Sequence, residues 1–568
     1  MREIVTIQAG GFANFVGSHF WNFQDELLGL AEDPNSDQVF KTQYLNMDVL
    51  YRAGETQQGI PTYTPRLVSV DLQGSLGSVS SRGTLYSEMP SGTSNVITWT
   101  GNVSTHVSAP HKKNFLHDQE EQKSGIVNGG KGEPCGEIQD RDIVNSLEDG
   151  VQYWTDFSKV HFHAQSLYEL SGLWVDGQEF DNYGIGRDAF SGCVRGEDMN
   201  ERLRFFVEEC DHIQGIQFIV DDSGGFSGLA ADYLENIADE YSNTPVLLYT
   251  VRPPSVYANS RSKKQTIFND LHNAVSFSRL SPLCKLIVPI GLPCLSKSKA
   301  SAFLQIKDEK TYHCSAAYAA ALHSIGLPFR MESLGPTADL RYVSGAIDVN
   351  GMVQMLAGQA RQNMVAILDA AIPAPPLMSR KQCCYSILGN LHPLTPEVAE
   401  DMEDLQAVES VSVHGALGSD GLRAAVGDVR DSVDAAYELS PTRPRFSHLS
   451  VALCPLPISL PFPSIFANSV GQHGELLDNP VPGSTSRGSL DVHSIPVAAR
   501  LRSSTAVLPF LEKRLENLRR FGIQQGAPGV ELLKSWGFGK DEVEDMGETL
   551  SNMVKTLDPH PYESSDSD

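Results

Sequence analysis

Apolar residues along this chain fall into two alternating patterns. Short continuous runs are one: Ile4, Val5 and Ile7; Leu67, Val68, Val70 and Leu72; Ile216, Phe218, Ile219 and Val220; residues 246–251; and residues 285–292. Runs of this length, bounded by glycine, proline or polar residues, read as buried strands. Helical spacing is the other. Phe15, Val16, Phe20, Phe23, Leu27 and Leu28 follow the first run, and Leu229, Ala230, Tyr233, Leu234, Ile237, Ala238 and Tyr241 follow the third. Residues 199–209, with Leu203, Phe206 and Val207 inward, also read as helix, as do residues 268–280 and the alanine-rich residues 312–325. Strand, turn and helix in succession predict α/β units. A second unit follows, with strands expected at 386–389 and 448–453 around a polar, partly helical stretch at 396–439. Near the end, Leu508, Leu511, Leu515, Leu518 and Phe521 predict an amphipathic helix, and 540–557 a second, acidic one.

Composition narrows the classes of partner. The chain has 568 residues, with 70 acidic against 44 Lys plus Arg, a formal charge of −26. Such a surface repels nucleic acid and anionic lipid as a whole, so only a local basic patch reverses that. Nine cysteines are scattered without a CxxC pair, and the adjacent Cys383 and Cys384 suit neither a zinc site nor an ordinary disulfide. Reduced thiols in the cytosol are the plain expectation. No secretory signal or mitochondrial presequence is visible, since Arg2 is followed at once by Glu3 and a strand. The stretch 449–467 is apolar enough to suggest a membrane span, but Pro455, Pro457, Pro461 and Pro463 point to strands and turns instead. Residues 105–140 turn polar and read as an insertion.

Candidate chemistry gathers at two glycine turns. Asp221-Asp222-Ser223-Gly224-Gly225-Phe226-Ser227-Gly228 joins a strand to a helix, and Gly10, Gly11 and Asn14 do the same at the start of the chain. Glycine lets a backbone approach a phosphate closely, and a helix N-terminus favours an anion. The alternative is a purely structural turn, which every βα unit needs. Asp71, at the end of its strand, reads by itself as a turn or cap residue. His161 and His163 share a strand face by their spacing. With no third ligand near, they read as an ordinary half-exposed strand, and no metal site is assigned.

The opening Met1-Arg2-Glu3-Ile4-Val5-Thr6-Ile7-Gln8-Ala9-Gly10, with Asn14, Gly17, Phe20 and Trp21, resembles the start of tubulin. Residues 209–217 before the central glycine turn resemble the approach to tubulin's phosphate loop. Together these residues resemble the Misato family of divergent tubulin-like proteins, across essentially the whole chain. The resemblance implies a tubulin/FtsZ-like α/β fold. A doubly wound GTPase-like domain spans 1–310, a core helix and smaller mixed α/β domain 311–500, a helical hairpin 501–560 and an acidic tail 561–568. It also implies Gly10, Gly11, Asn14, Asp71, Gly224, Gly225, Ser227 and Gly228 as the phosphate side of a GTP or GDP site. Several positions depart from tubulin. Gln73 replaces a metal-side carboxylate, Gly225 replaces a threonine, Phe226 replaces a glycine, and 289–293 carries no guanine-reading asparagine. Ala338-Asp339-Leu340-Arg341 resembles the loop by which one tubulin-like subunit completes its neighbour's site.

Two functions therefore stand side by side. One is a cytosolic protein, peripherally associated with the mitochondrial outer membrane, that regulates mitochondrial distribution, morphology and fusion through protein partners. The other is a slow or vestigial GTPase that binds tubulin or other cytoskeletal factors, or itself, and acts in chromosome segregation. No residue is assigned a catalytic role, and no nucleic acid is expected. Lys513, Arg514, Arg519 and Arg520 form the clearest basic cluster and are expected outward, as solvated surface or as a docking face.

Overall fold

The computed structural model describes residues 2–41, 45–55, 59, 61–85, 136–175, 180–191, 193–258, 262–332, 343–358, 364–377, 387–399, 406–440, 443–483 and 485–557. The apolar runs of the first half become strands buried on both sides, as their uninterrupted hydrophobicity requires. They are β1 (Glu3–Ala9), β2 (Leu67–Gln73), β4 (Ile213–Asp221), β5 (Val246–Val251) and β6 (Leu286–Ile290), and a further strand, β3 (Leu167–Trp174), exposed in its second half, joins them without such a run. These six strands lie in the order β3-β2-β1-β4-β5-β6, and every neighbouring pair is parallel.

Helices cover both faces of this sheet, so it is doubly wound. Ile4, Ile219, Leu247, Tyr249, Leu286 and Val288 pack on the side of α1 (Gly11–Glu32). Val5, Ile7, Phe218, Val220, Leu248 and Ile287 point the other way. There they meet α3 (Tyr183–Ser191), α4 (Cys193–Glu208), α5 (Gly225–Glu240) and α6 (Lys263–Leu280). A further helix, α2 (Gly136–Gly150), precedes β3 and takes up the last residues of the stretch 105–140 expected to be a flexible insertion, whose remainder, 105–135, lies outside the described residues. His161 and His163 lie in the irregular segment before β3 rather than on a strand. Phe162 between them is buried, and the His163 ring stacks on Phe205 at 4.9 Å.

The alanine-rich run forms α7 (Thr311–Ile325), and every residue from Tyr312 to Ile325 is buried. A helix apolar all round belongs inside a core. Small side chains let it pack against α1 on one side and a second sheet on the other. That sheet contains β7 (Val343–Ser344), β8 (Ile367–Ala371), β9 (His392–Pro393), β10 (Val408–His414), β11 (Phe446–Ala452) and β12 (Val497–Ser503). Its order is β9-β8-β12-β10-β11-β7. It is mixed, with β10 and β11 parallel and the other pairs antiparallel. Leu368, Ala499 and Leu501 face α7, while Val411, Val413 and Ala498 face α9 (Val426–Leu439) through Val429, Val433 and Tyr437. α8 (Val349–Ala357) starts at Asp348, whose side chain accepts from the Gly351 N–H.

Two expectations about this unit change. A strand does not form at 386–389: Leu388–Asn390 is a single 3-10 turn, and Ser386 lies outside the described residues. Conversely, β10 sits inside the stretch expected to be polar and partly helical. Its valines alternate with Ser410 and Ser412, which are also buried, so a short period-two signal is diluted by polar atoms. The proline-rich stretch after β11 does form short strands and turns, with Phe462 stacked on Phe466. Among the described residues, no helix is long and apolar enough to cross a membrane.

The chain ends in α10 (Leu508–Leu518), α11 (Val530–Ser535) and α12 (Lys540–Leu557). α10 lies on α6, and α12 on both. Leu508, Leu511, Leu515 and Leu518 are buried as their spacing requires, each contributing about 1.5–3 kcal/mol when fully covered. Arg514 corrects the expected outward basic set. It is 6% exposed, donates to Glu397 and to the Phe510 carbonyl, and lies over the Phe510 ring. Exposed Lys513 pairs with the same Glu397, so the cluster does not present four free cations. The tail 561–568 and the segment 338–341 lie outside the described residues.

Candidate functional site

Strand order reverses direction between β1 and β4, and in open α/β sheets the crevice at the carboxyl ends of such strands is where ligands bind. Both glycine turns open onto it. Gly10 turns the chain from β1 into α1 at φ +108°, and a Cβ there would lie 2.5 Å from Asp221 Oδ2. Asp221 is the last residue of β4. Its Oδ2 accepts the Phe12 N–H at 3.0 Å and its Oδ1 the Ala13 N–H at 2.6 Å. These are first-turn donors that α1 cannot satisfy itself. A carboxylate from the same chain thus occupies the N-terminus of α1, where the helix dipole favours negative charge. Burial raises the Asp221 carboxyl well above the usual range. The two N–H groups oppose that, and nearby Asp71 and Asp222 add to it.

The flanking candidates serve the same packing. Asn14 Nδ2 donates to Asp71 Oδ2 at 3.0 Å and to the Val70 carbonyl at 3.2 Å, and its Oδ1 accepts from Ser69. Asp71 Oδ1 accepts the Leu72 N–H, and burial pushes its acid up to about 6. Gln73, standing where tubulin's metal-side carboxylate would be, accepts the Gly172 N–H at 3.1 Å and so ties β2 to β3. Among the described residues, no cluster of three or more His, Cys, Asp or Glu is arranged to hold a metal. Gly11 begins α1 half-exposed, with open space where a Cβ would stand.

The central turn is likewise occupied. Gly224 caps α5 at φ +78°, where a Cβ would stand 2.8 Å from the Phe180 carbonyl. That carbonyl accepts the Gly225 N–H at 3.0 Å, and the Phe180 ring meets Phe226 edge-on at 4.9 Å. Ser227 is buried. Its hydroxyl donates to the Gly224 carbonyl at 2.8 Å and lies 3.2 Å from His272 Nε2. Burial holds the His272 imidazole down at about 4, and Arg252 adds to that. Gly228 leaves room for the Tyr183 carbonyl and Gly186 for that of Gly225, so α3 and α5 cross backbone to backbone. Phe180, Arg252 and His272 therefore belong to the site although the glycine motifs did not single them out. Arg252 carried a signal, standing directly before Pro253 and Pro254 at a strand end.

The charge balance follows from these positions. Asp71, Asp221 and Asp222 crowd the ends of β2 and β4. Arg252, only 5% exposed, pairs with Asp222 at 2.7 Å. Three loop N–H groups are committed, those of Phe12 and Ala13 to Asp221 and that of Gly225 to the Phe180 carbonyl.

Comparison with known proteins gives a consistent picture. Residues 2–121 match the Misato Segment II tubulin-like domain, and residues 145–331 match the Tubulin domain. Protein misato homolog 1 of Mus musculus is 30% identical over 571 residues, spanning 98% of this chain and 97% of that protein. The Homo sapiens protein of the same name is 28% identical over 98% of this chain and 97% of its own length. Protein misato of Drosophila melanogaster is 28% identical over 95% and 96% respectively.

Proposed function

This chain belongs to the Misato family of tubulin-like proteins, and from that premise we propose that it uses the tubulin fold as a docking scaffold rather than as a nucleotide engine. One observation supports the reading: the Asp221 carboxyl accepts the Phe12 and Ala13 N–H groups, donors that a bound phosphate would have to compete for. The turn before α5 supports it, since Gly225 and Ser227 direct their donors to the Phe180 and Gly224 carbonyls. The setting is the cytosolic face of mitochondria, where the protein associates peripherally and acts on mitochondrial distribution, morphology and fusion through protein partners. That setting rests on the family resemblance.

The test is nucleotide content and turnover. Protein purified without added nucleotide, denatured and resolved by chromatography, releases no stoichiometric guanine nucleotide, and magnesium with GTP gives no sustained phosphate release. Robust turnover that disappears in Gly224→Trp would replace this reading with the slow GTPase. For the setting, high-salt washing of mitochondria releases the protein, and retention with integral proteins would sink peripheral association.

A further inference from the structure

α9 and β11 meet at one rim of the second sheet, and this rim differs from the rest of the surface. Leu439 ends α9 at 61% exposed, and Phe446 begins β11 at 53% exposed. Register places both at the same end. Phe446 pairs with Val408, the first residue of β10. Tyr437, two residues before Leu439, donates to Glu409, which is opposite Ser447. Between them Arg443 and Arg445 are exposed. The Arg445 N–H is fixed to the Ala407 carbonyl at 2.9 Å, which holds that backbone at the rim. Among the described residues, no ion pair engages either guanidinium. Another exposed apolar group, Trp174, Val175 and Val194, lacks this feature, because its neighbour Arg195 is bonded to the Ser171 and Ala189 carbonyls.

Two large apolar side chains flanked by two arginines, exposed and without an ion pair among the described residues, form an amphipathic tip. In a chain of net charge −26, unpaired arginines beside exposed Leu and Phe are matched by an anionic, partly apolar surface. We propose that the rim of Leu439, Arg443, Arg445 and Phe446 docks on the headgroup region of an anionic phospholipid bilayer. The proposal rests on the peripheral-association part of the function above and names its contact. The global charge does not forbid this, because at physiological salt it is screened beyond roughly 8 Å. The local acids fix the geometry. Glu438 adjoins the rim, and Asp428, Asp431 and Asp434 run back along the exposed face of α9. The domain therefore stands end-on, with the apolar tips in the interface and the acidic stripe held away.

Flotation of the full chain with phosphatidylcholine vesicles, with and without phosphatidylserine, tests this. Binding is expected only to the anionic vesicles, and it falls as salt rises. Replacing Arg443 and Arg445 together by Glu lowers partitioning by at least about tenfold, on the scale of about 1 kcal/mol per basic residue near the surface. Leu439→Ser with Phe446→Ser lowers it too and leaves salt sensitivity in what remains. All four residues are exposed, so melting temperatures stay at the parent value. A parent that floats while both double variants float equally overturns this rim and leaves peripheral association standing. A parent that ignores anionic vesicles yet loses mitochondrial co-fractionation on Arg443→Glu with Arg445→Glu overturns the lipid and assigns the rim to an acidic protein. A parent that co-fractionates with mitochondria only as an integral protein overturns the peripheral reading itself.

Discussion

Asp221 offers the first turn of α1 a carboxyl acceptor without any ligand. Removing it separates the roles of that carboxylate. Asp221→Ala leaves the Phe12 and Ala13 N–H groups buried without an acceptor, which costs about 1–3 kcal/mol. The vacated helix terminus then takes an external anion. Thermal melting at matched ionic strength checks this: inorganic phosphate raises the melting temperature of the variant more than that of the parent, and equal responses would count against an internal anion. Asp71 gives the site a pH signature. Burial raises its folded acid to about 6, while in the unfolded chain it titrates near 3.8. A raised folded value means a contribution present in full below the unfolded value and lost as pH climbs through the folded one. Parent stability therefore drops by about 2–3 kcal/mol relative to Asp71→Asn between pH 4 and 7, since each pH unit separating the folded and unfolded values is worth about 1.4 kcal/mol. Denaturant unfolding at stepped pH reads the difference, and parallel curves would sink the assignment.

Among the elements, the C-terminal helix α10 shows how far spacing alone reaches. Periodicity places Leu508, Leu511, Leu515 and Leu518 inward, and they are. It does not reveal that Arg514 follows them, because its partner Glu397 arrives from a segment 117 residues away. Arg514→Glu thus sets a second carboxylate against a half-buried one and destabilises by roughly 3–5 kcal/mol. Glu at Arg519 or Arg520, both exposed, shifts stability by about 0.5 kcal/mol or less. Melting curves of the single variants check the contrast. The same limit governs the rest of the chain. β1, β2, β4, β5 and β6, with α1 and α4 to α6, are legible because apolar runs or strong helical repeats encode them, whereas β3 is not, since Glu169, Ser171 and Gly172 interrupt its run. β12 is not, because Arg500 and Arg502 break its pattern. Those arginines are tolerated on the strand only because the buried Asp369 and Glu409 pair with them. In the candidate site, the position of Gly10, Asn14, Asp71 and the 224–228 turn is legible. The occupancy is not, since it depends on Asp221 meeting a loop 209 residues earlier.

For the whole molecule, α7 is the shared wall of two sheets. It fills the space between α1, which lies on the first sheet, and the second sheet, so the two share this core and are expected to lose it together. Calorimetry is expected to show one unfolding transition across both sheets, and two well-separated peaks would mean the halves stand alone. The position of β12 in the chain adds a consequence for synthesis. This strand lies at the centre of the second sheet, between β8 and β10, and packs on α7, yet it is translated long after that helix. At about 5–20 residues per second, the roughly 190 residues between the start of α7 and the end of β12 occupy the ribosome for about 10–40 s. Through that interval one flank of an alanine-rich helix has no lid. The nascent chain is then sticky in a way the finished protein is not, and its yield is set by what shields that flank during translation.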